Sequence, residues 1–265
     1  MTRRSSTPPA LALALLLVGA CSSDADKPDY VERPVSAIYN EAMDTLGEGL
    51  YAEAAVKFDE VERQHPYSSW ATKAQLMAAY AHYETNAYDD AVVALDRFIE
   101  LHPSTRDTPY AYYLKGLSYY EQISDIARDQ RMTRRALATF RELINRFPDS
   151  RYALDAKIKL DLTNDHLAGK DMEIGRYYLH QGHNLAAINR FKAVIERYQT
   201  TTHVPEALHR LTEAYLSLGI IEEARKTAAV LGHNFPGSEW YVDSYQLIEG
   251  KQIRPVEEDP WYKVW

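Results

Sequence analysis

Chemistry at a protein site needs a nucleophile, a matched acid and base, or ligands that converge, and this chain of 265 residues offers few of them. Its single cysteine, Cys21, leaves no second thiol for a disulfide or a cysteine-metal site. His180 and His183 are close enough to share a helix face, but they straddle Gly182 and no carboxylate follows at ligand spacing, so they read as surface residues. Asp89-Asp90 and Glu222-Glu223 stand where helices are expected to begin, and negative charge there complements the helix dipole without further purpose. His65 and His102 each precede a proline at corresponding places in a repeat, which marks them as structural echoes. There is no Gly-x-Ser-x-Gly elbow and no Walker-type phosphate loop. Gly47-Glu48-Gly49 lacks the strand and third glycine of a dinucleotide site. No catalytic class is supported, and no cofactor or metal is expected.

The one reactive group with a context is the Cys21 thiol. It follows the apolar run Leu11 to Ala20, which is preceded by Arg3 and Arg4. A basic start, a short apolar stretch and small residues before a cleavage point form a secretory signal, too short for a membrane-spanning helix. Val18-Gly19-Ala20-Cys21 resembles the lipobox of bacterial lipoprotein signals, which implies that residues 1–20 are removed and that Cys21 carries a covalent lipid. Ser22, rather than an aspartate, follows the cysteine, consistent with outer-membrane sorting where that rule operates. Residues 21–33, rich in Ser and Asp, read as a linker from lipid to body. Loss of the leader takes the net charge from -8 to -10, which disfavours nucleic acid as a partner.

The body repeats. A small residue, an apolar residue four later, another three later and usually a proline five after that recur as Ala54/Phe58/Val61/Pro66, Ala91/Leu95/Phe98/Pro103, Ala136/Phe140/Leu143/Pro148, Ala187/Phe191/Val194/Gln199 and Ala224/Ala228/Leu231/Pro236. This pattern resembles the second helix of a tetratricopeptide (TPR) repeat. Twelve residues before the alanine stand Ala42, Ala79, Gly175 and Thr212, while the third repeat has Gly116 eight residues early. The expected fold is all-α, a right-handed solenoid of five TPR-like helix pairs with a terminal helix. Repeats one to three span 34–150, repeats four and five with the terminal helix span 151–250, and 251–265 is a tail.

The alanines are 37, 45, 51 and 37 residues apart, so the middle of the chain carries two insertions. The first reads as a long loop over Ile123–Met132 with a basic edge. The second is close to four turns at about 3.6 residues each, so a first helix lengthened to Tyr152–His180 stays in phase. Leu154, Ile158, Leu162 and Ile174 are the expected apolar face of that helix, with Gly169 and Gly175 as points of possible breakage. Thr108-Pro109, Ser68, Ser150 and Ser238 mark helix starts. The tail is proline-interrupted, with Trp261, Tyr262 and Trp265 near its end, and reads either as disordered or as a docking strip.

In TPR proteins the first helix lines the concave face. Transferring its groove positions to repeats one to three selects twelve residues, of which six are tyrosines: Tyr39, Tyr80, Tyr83, Tyr110, Tyr113 and Tyr120. In repeats four and five the same positions, among them Gly169, Met172, Arg176, Glu206, His209 and Glu213, are more polar. A tyrosine-lined groove suits an extended peptide with aromatic side chains, since the rings give broad contact and the hydroxyls reach peptide groups. The alternative is that the rings pack between neighbouring repeats.

Longer stretches carry a more specific resemblance. His65-Pro66-Tyr67-Ser68-Ser69-Trp70-Ala71, Arg97 to Pro103, Gly116-Leu117-Ser118-Tyr119-Tyr120, Arg128-Asp129-Gln130, Ala168 to Glu173, Ile174-Gly175-Arg176-Tyr177-Tyr178 and Tyr198-Gln199-Thr200-Thr201 resemble the BamD (ComL) family of outer-membrane protein assembly factors. The resemblance implies a lipoprotein on the periplasmic face of the outer membrane, without a catalytic step. It would bind the periplasmic domains of the barrel-forming subunit BamA through its C-terminal repeats, with Arg190 and Arg176 as contacts. It would receive the targeting signals of unfolded outer-membrane proteins in its N-terminal repeats. The loop at Arg128, Asp129 and Gln130 would meet other lipoproteins of the same machine. The competing reading of the same architecture is a lipid-anchored scaffold for cell-wall or division enzymes.

Overall fold

Each repeat closes because its small residue lets two helices meet. Ala54, Ala91, Ala136, Ala187 and Ala224 have no exposed surface, and Phe58, Leu95, Phe140 and Phe191, four residues on, are equally buried. The computed structural model describes residues 32–250, and it places these alanines on the second helix of five successive pairs. The pairs are α1 (Val35–Gly47) with α2 (Tyr51–Gln64), α3 (Ser69–Glu84) with α4 (Tyr88–Leu101), α5 (Thr108–Tyr120) with α6 (Arg131–Arg146), α7 (Arg151–His180) with α8 (Asn184–Arg197), and α9 (Val204–Ser217) with α10 (Ile221–Asn234). A terminal helix, α11 (Glu239–Ile248), packs on α9 and α10. The described residues are therefore an all-α stack of helix pairs, as the repeat predicts. Cys21, the lipobox, most of the linker and the tail lie outside the described residues.

Sequence sets both ends of each helix. Within four pairs the turn requires a residue in the left-handed region, supplied by Gly49 (φ 79°), Asn86 (φ 59°), Gly182 (φ 75°) and Gly219 (φ 73°). Second helices end on a residue of one conformation, with His65 at φ -133°, ψ 58° and His102 at φ -130°, ψ 55°. Tyr198, which precedes Gln199 rather than proline, shares it at φ -126°, ψ 47°, so the conformation belongs to the repeat itself and the two histidines are structural echoes. Ser68 and Ser238 cap α3 and α11, accepting from the amides of Ala71 (3.1 Å) and Trp240 (3.2 Å). Ser150 holds the same position at α7, but its hydroxyl is buried and makes no bond among the described residues. Thr108 is the first residue of α5 rather than its cap, and its Oγ1 donates to the His102 carbonyl at 2.6 Å.

Each first helix touches the first helix of the next pair, whereas no second helix touches the next second helix among the described residues. The stack therefore curves with its first helices on the inner side. Two expectations about the insertions need correction. The long loop ends at Gln130, and Arg131 and Met132 already belong to α6. Helix α7 does run unbroken from Arg151 to His180, but Leu154, Ile158 and Leu162 are not its packed face: they are 70%, 61% and 51% exposed. The packed face is Ala153, Ala156, Thr163, Leu167, Ala168 and Met172. Gly169 and Gly175 do not break the helix; they admit close neighbours, His203 beside Gly169 and the Phe191 ring beside Gly175.

Candidate functional site: a tyrosine surface on the inner helices

Five of the six predicted tyrosines come from α3 and α5, where they lie on the inner side of the curve. Tyr80 and Tyr83 leave α3 one turn apart, and Tyr110 and Tyr113 leave the facing turn of α5, all half-buried against the core of pairs two and three. Tyr152, at the second position of α7, completes the group. Its ring is 5.2 Å from that of Tyr110 and stacks on Tyr113 at 5.4 Å and 28°. Sequence reasoning missed Tyr152 because the repeat pattern begins later in α7, and the extra turns of that helix bring it in.

The hydroxyls are held in a donor state. Burial, together with the neighbouring Glu84 carboxylate, pushes the Tyr80 phenol up to about 12, and burial with Glu121 does the same for Tyr83. Tyr110 and Tyr113 are raised further by burial, and the Tyr113 hydroxyl donates to Asp155 Oδ2 at 2.5 Å. These phenols stay protonated at any physiological pH, with the Tyr80 and Tyr113 O–H groups committed to Glu84 and Asp155, so what the group presents is chiefly ring faces, a surface suited to apolar and aromatic side chains. Tyr120 sits further along α5, with Lys159 Nζ 4.5 Å from its ring centre.

Tyr39 belongs elsewhere. Its ring is 5.6 Å from Phe58 and 4.9 Å from Trp70, inside the packing of the first pair, so for this residue packing between repeats accounts for the ring. In repeats four and five, Met172 and His209 are buried in the core and do not line the inner face.

The predicted partner-binding arginines are both ion-paired within the chain. Arg176 Nη1 donates to both carboxylate oxygens of Glu206 at 3.0 and 2.9 Å, and Arg190 Nη1 donates to Asp171 Oδ1 at 3.0 Å. Both arginine side chains remain partly exposed, at 41% and 44%, and each guanidinium has more N–H donors than its ion pair uses. In the loop, Arg128 and Asp129 are exposed, and Asp129 lies 3.8 and 3.5 Å from Arg131 and Arg134. Gln130 is different. It is 4% exposed, and its amide donates to the carbonyls of Asp125, Ile126 and Arg128 while accepting from Thr133. Gln130 folds the loop and is not available to a partner. Lys170 pins the loop to α7 through the Ala127 carbonyl at 3.1 Å. No group of three or more His, Cys, Asp or Glu side chains suited to a metal ion occurs among the described residues.

The chain is similar to proteins of known role over nearly its whole length. It is 52% identical to the outer membrane protein assembly factor BamD of Caulobacter vibrioides, covering 94% of this chain and 84% of that protein. It is 46% identical to BamD of Rickettsia prowazekii (92% and 96% covered) and 34% identical to BamD of Neisseria meningitidis serogroup A (94% and 96%). Among solved structures, the P58(IPK) TPR domain matches 82% of this chain and 56% of its own at 14% identity, with a TM-score of 0.43. The relatives are named as assembly factors, a role without a catalytic step. With the family model for the outer membrane lipoprotein YfiO matching residues 31–231, the chain belongs to the YfiO family, and its place is with the outer-membrane protein assembly factors.

Proposed function

We propose that the chain is a non-catalytic adaptor of the machinery that folds β-barrel proteins into the outer membrane, tethered to the periplasmic face of that membrane by lipid on Cys21. In this reading the inner surface of pairs two to four receives the targeting segments of unfolded outer-membrane proteins, and the C-terminal repeats bind the periplasmic domains of BamA. Other lipoproteins of the machine would meet the exposed Arg128 and Asp129. The observation that carries the reading is the group of ring faces of Tyr80, Tyr83, Tyr110, Tyr113 and Tyr152, which match an extended segment with aromatic side chains. Catalysis has no part in it, and no cofactor or metal is required.

The test uses the full-length lipidated protein, the periplasmic domains of BamA and a synthetic peptide copied from the last strand of a barrel protein. Joint replacement Tyr80→Ala and Tyr83→Ala weakens peptide binding at least tenfold and leaves BamA affinity within twofold. Arg190→Glu does the reverse. Equal loss of both ligands in the tyrosine variant, or unchanged BamA affinity in Arg190→Glu, refutes the division of labour.

A further inference from the structure

A helical solenoid needs its last pair screened by a segment with a polar outer face, and α11 supplies that screen only in part. Among the α11 residues Ser244 alone is buried, while Val242 and Tyr245 are 43% and 51% exposed. Between α11 and α10 lies a cleft of about 160 Å³. Tyr241, Tyr245 and Ile248 form its α11 wall, and Arg225, Ala228 and Ala229 form its α10 wall. The three α11 residues stand four and three positions apart, on one face of that helix, and the facing alanines leave the room between. The helices run in opposite senses, since the Tyr241 ring meets Gly232 near the end of α10, so Ile248 and Arg225 share the other end of the cleft.

The chain itself leaves from that end. Helix α11 closes with the Glu249 amide donating to the Tyr245 carbonyl at 3.1 Å and the Gly250 amide to the Leu247 carbonyl at 3.4 Å. Gly250, two residues past Ile248, has φ 68°, the left-handed conformation that turns a backbone off its helix axis. Residues 251–265, beyond the described ones, therefore set out from the mouth of the cleft. The sequence also restricts the path they can take. Pro255 disfavours helix for Arg254 before it and fixes its own φ, a combination that favours a polyproline II path. With three residues per turn and a rise of about 3.1 Å, such a path puts Ile253 and Val256 on one side, about 9.3 Å apart. The α11 wall from Tyr241 to Ile248 is about 10.5 Å long at 1.5 Å per residue, so the two side chains match its two ends.

We infer that residues 251–256 fold back along the cleft between α10 and α11, with Ile253 and Val256 seated against the alanines and tyrosines, and complete the cap of the solenoid. Three features select this occupant over a partner. A segment tethered two residues from the site is held there at an effective concentration on the order of millimolar, which an untethered ligand must overcome. The cleft admits aliphatic side chains but not a helix about 10–12 Å across, and it falls far short of the roughly 800 Å² per partner that a stable dimer buries. Arg225 is already paired with Glu222 at 3.5 Å, so the cleft attracts by apolar contact rather than by charge.

The test is the cysteine pair Ala229→Cys with Val256→Cys in the full-length lipidated protein, in which lipid occupies the one native thiol. Mild oxidation at low protein concentration is followed by mass spectrometry. A link within one chain is expected to form at least tenfold faster than in the control pair Val93→Cys with Val256→Cys, Val93 being an exposed residue of α4. Amide exchange gives the second reading. The double variant Ile253→Asp with Val256→Asp, and a chain lacking residues 251–265, should each exchange at least tenfold faster across α10 and α11, with α3 to α5 unchanged. A link within one chain together with faster exchange in both altered chains supports the inference. Linking no faster than the control, links between two chains instead of within one, or exchange within twofold of wild type overturns it.

Discussion

Gly175→Ala tests whether small residues on the first helices set the spacing of the stack. A Cβ at this position would come 2.5 Å from Cε1 of Phe191 and 2.9 Å from its Cδ1 and Cζ. The ring has no exposed surface and cannot swing aside into solvent, so α7 and α8 must part. Overpacking of this kind costs about 1–3 kcal/mol, and the intrinsic helix preference of Ala over Gly returns about 1 kcal/mol. Pair one houses Ala42 opposite Phe58, both fully buried, which shows that a pair can open enough and keeps the cost below the top of the range. The net expectation is a loss of up to about 2 kcal/mol, or up to roughly 6 °C in Tm for a body of this size, in place of the gain of about 1 kcal/mol that the added methyl would bring if it met no ring. Gly47→Ala is the internal comparison, since nothing lies within 4 Å of its added methyl, and Tm should not fall. The variant Gly175→Ala with Phe191→Leu recreates the Ala79 and Leu95 combination of pair two, so the two changes should be less than additive by about 1 kcal/mol. Thermal and urea unfolding followed by circular dichroism read wild type, Gly175→Ala, Phe191→Leu, the double variant and Gly47→Ala. A Gly175→Ala protein that gains the full helix preference of about 1 kcal/mol, or strict additivity in the double variant, would refute the close-approach account.

Two further outcomes follow from buried polar groups. His209, 5% exposed, bonds Ser244 through Nδ1 at 2.8 Å and joins α9 to α11. Burial and then the Arg210 charge lower its pKa from the ordinary 6.5, against weaker opposition from Glu213, Asp243 and Glu206. A histidine with a depressed folded pKa binds fewer protons folded than unfolded, so its contribution is intact above about 6.5 and is lost as pH falls below it. Between pH 7 and 5 the wild type should lose more stability than His209→Asn; parallel pH profiles by scanning calorimetry would contradict this. Gln130→Ala removes three donated bonds and one accepted bond from the loop, at a cost of about 1–3 kcal/mol confined to residues 121–134. Amide exchange in that segment should speed up while the rest of the stack is unchanged, and unaltered exchange there would show that the loop is held by something else.

Much of the architecture was legible because one spacing rule repeats. The alanine and the apolar residue four later, with a closing proline in four of the five repeats, locate the second helices, and insertion lengths separate a loop from a helix extension by whether they preserve phase. Tyr80, Tyr83, Tyr110 and Tyr113 were legible for the same reason, since the repeat fixes which positions of a first helix face inward. What failed depended on contacts that spacing does not encode. Tyr39 and Met172 obey the same positional rule yet pack inward, because neighbours particular to them, Trp70 for Tyr39 and the α8 core for Met172, cover those positions. Gln130 has the composition of a surface loop residue and is instead consumed by three carbonyls of its own loop.

The misassigned face of α7 shows why hydrophobicity alone misleads in a stacked helix. Leu154, Ile158 and Leu162 and the set Ala153, Ala156 and Thr163 both keep helical phase, so periodicity cannot choose between them. Helices in this stack meet at small residues, as Gly175 against Phe191 and Gly116 against Phe140 show, and α7 buries its small face for the same reason. Burying the large aliphatics instead would turn Ala153 and Ala156 to solvent and force α6 and α7 apart. The close packing that builds the solenoid therefore expels the largest apolar side chains of its longest helix to the surface.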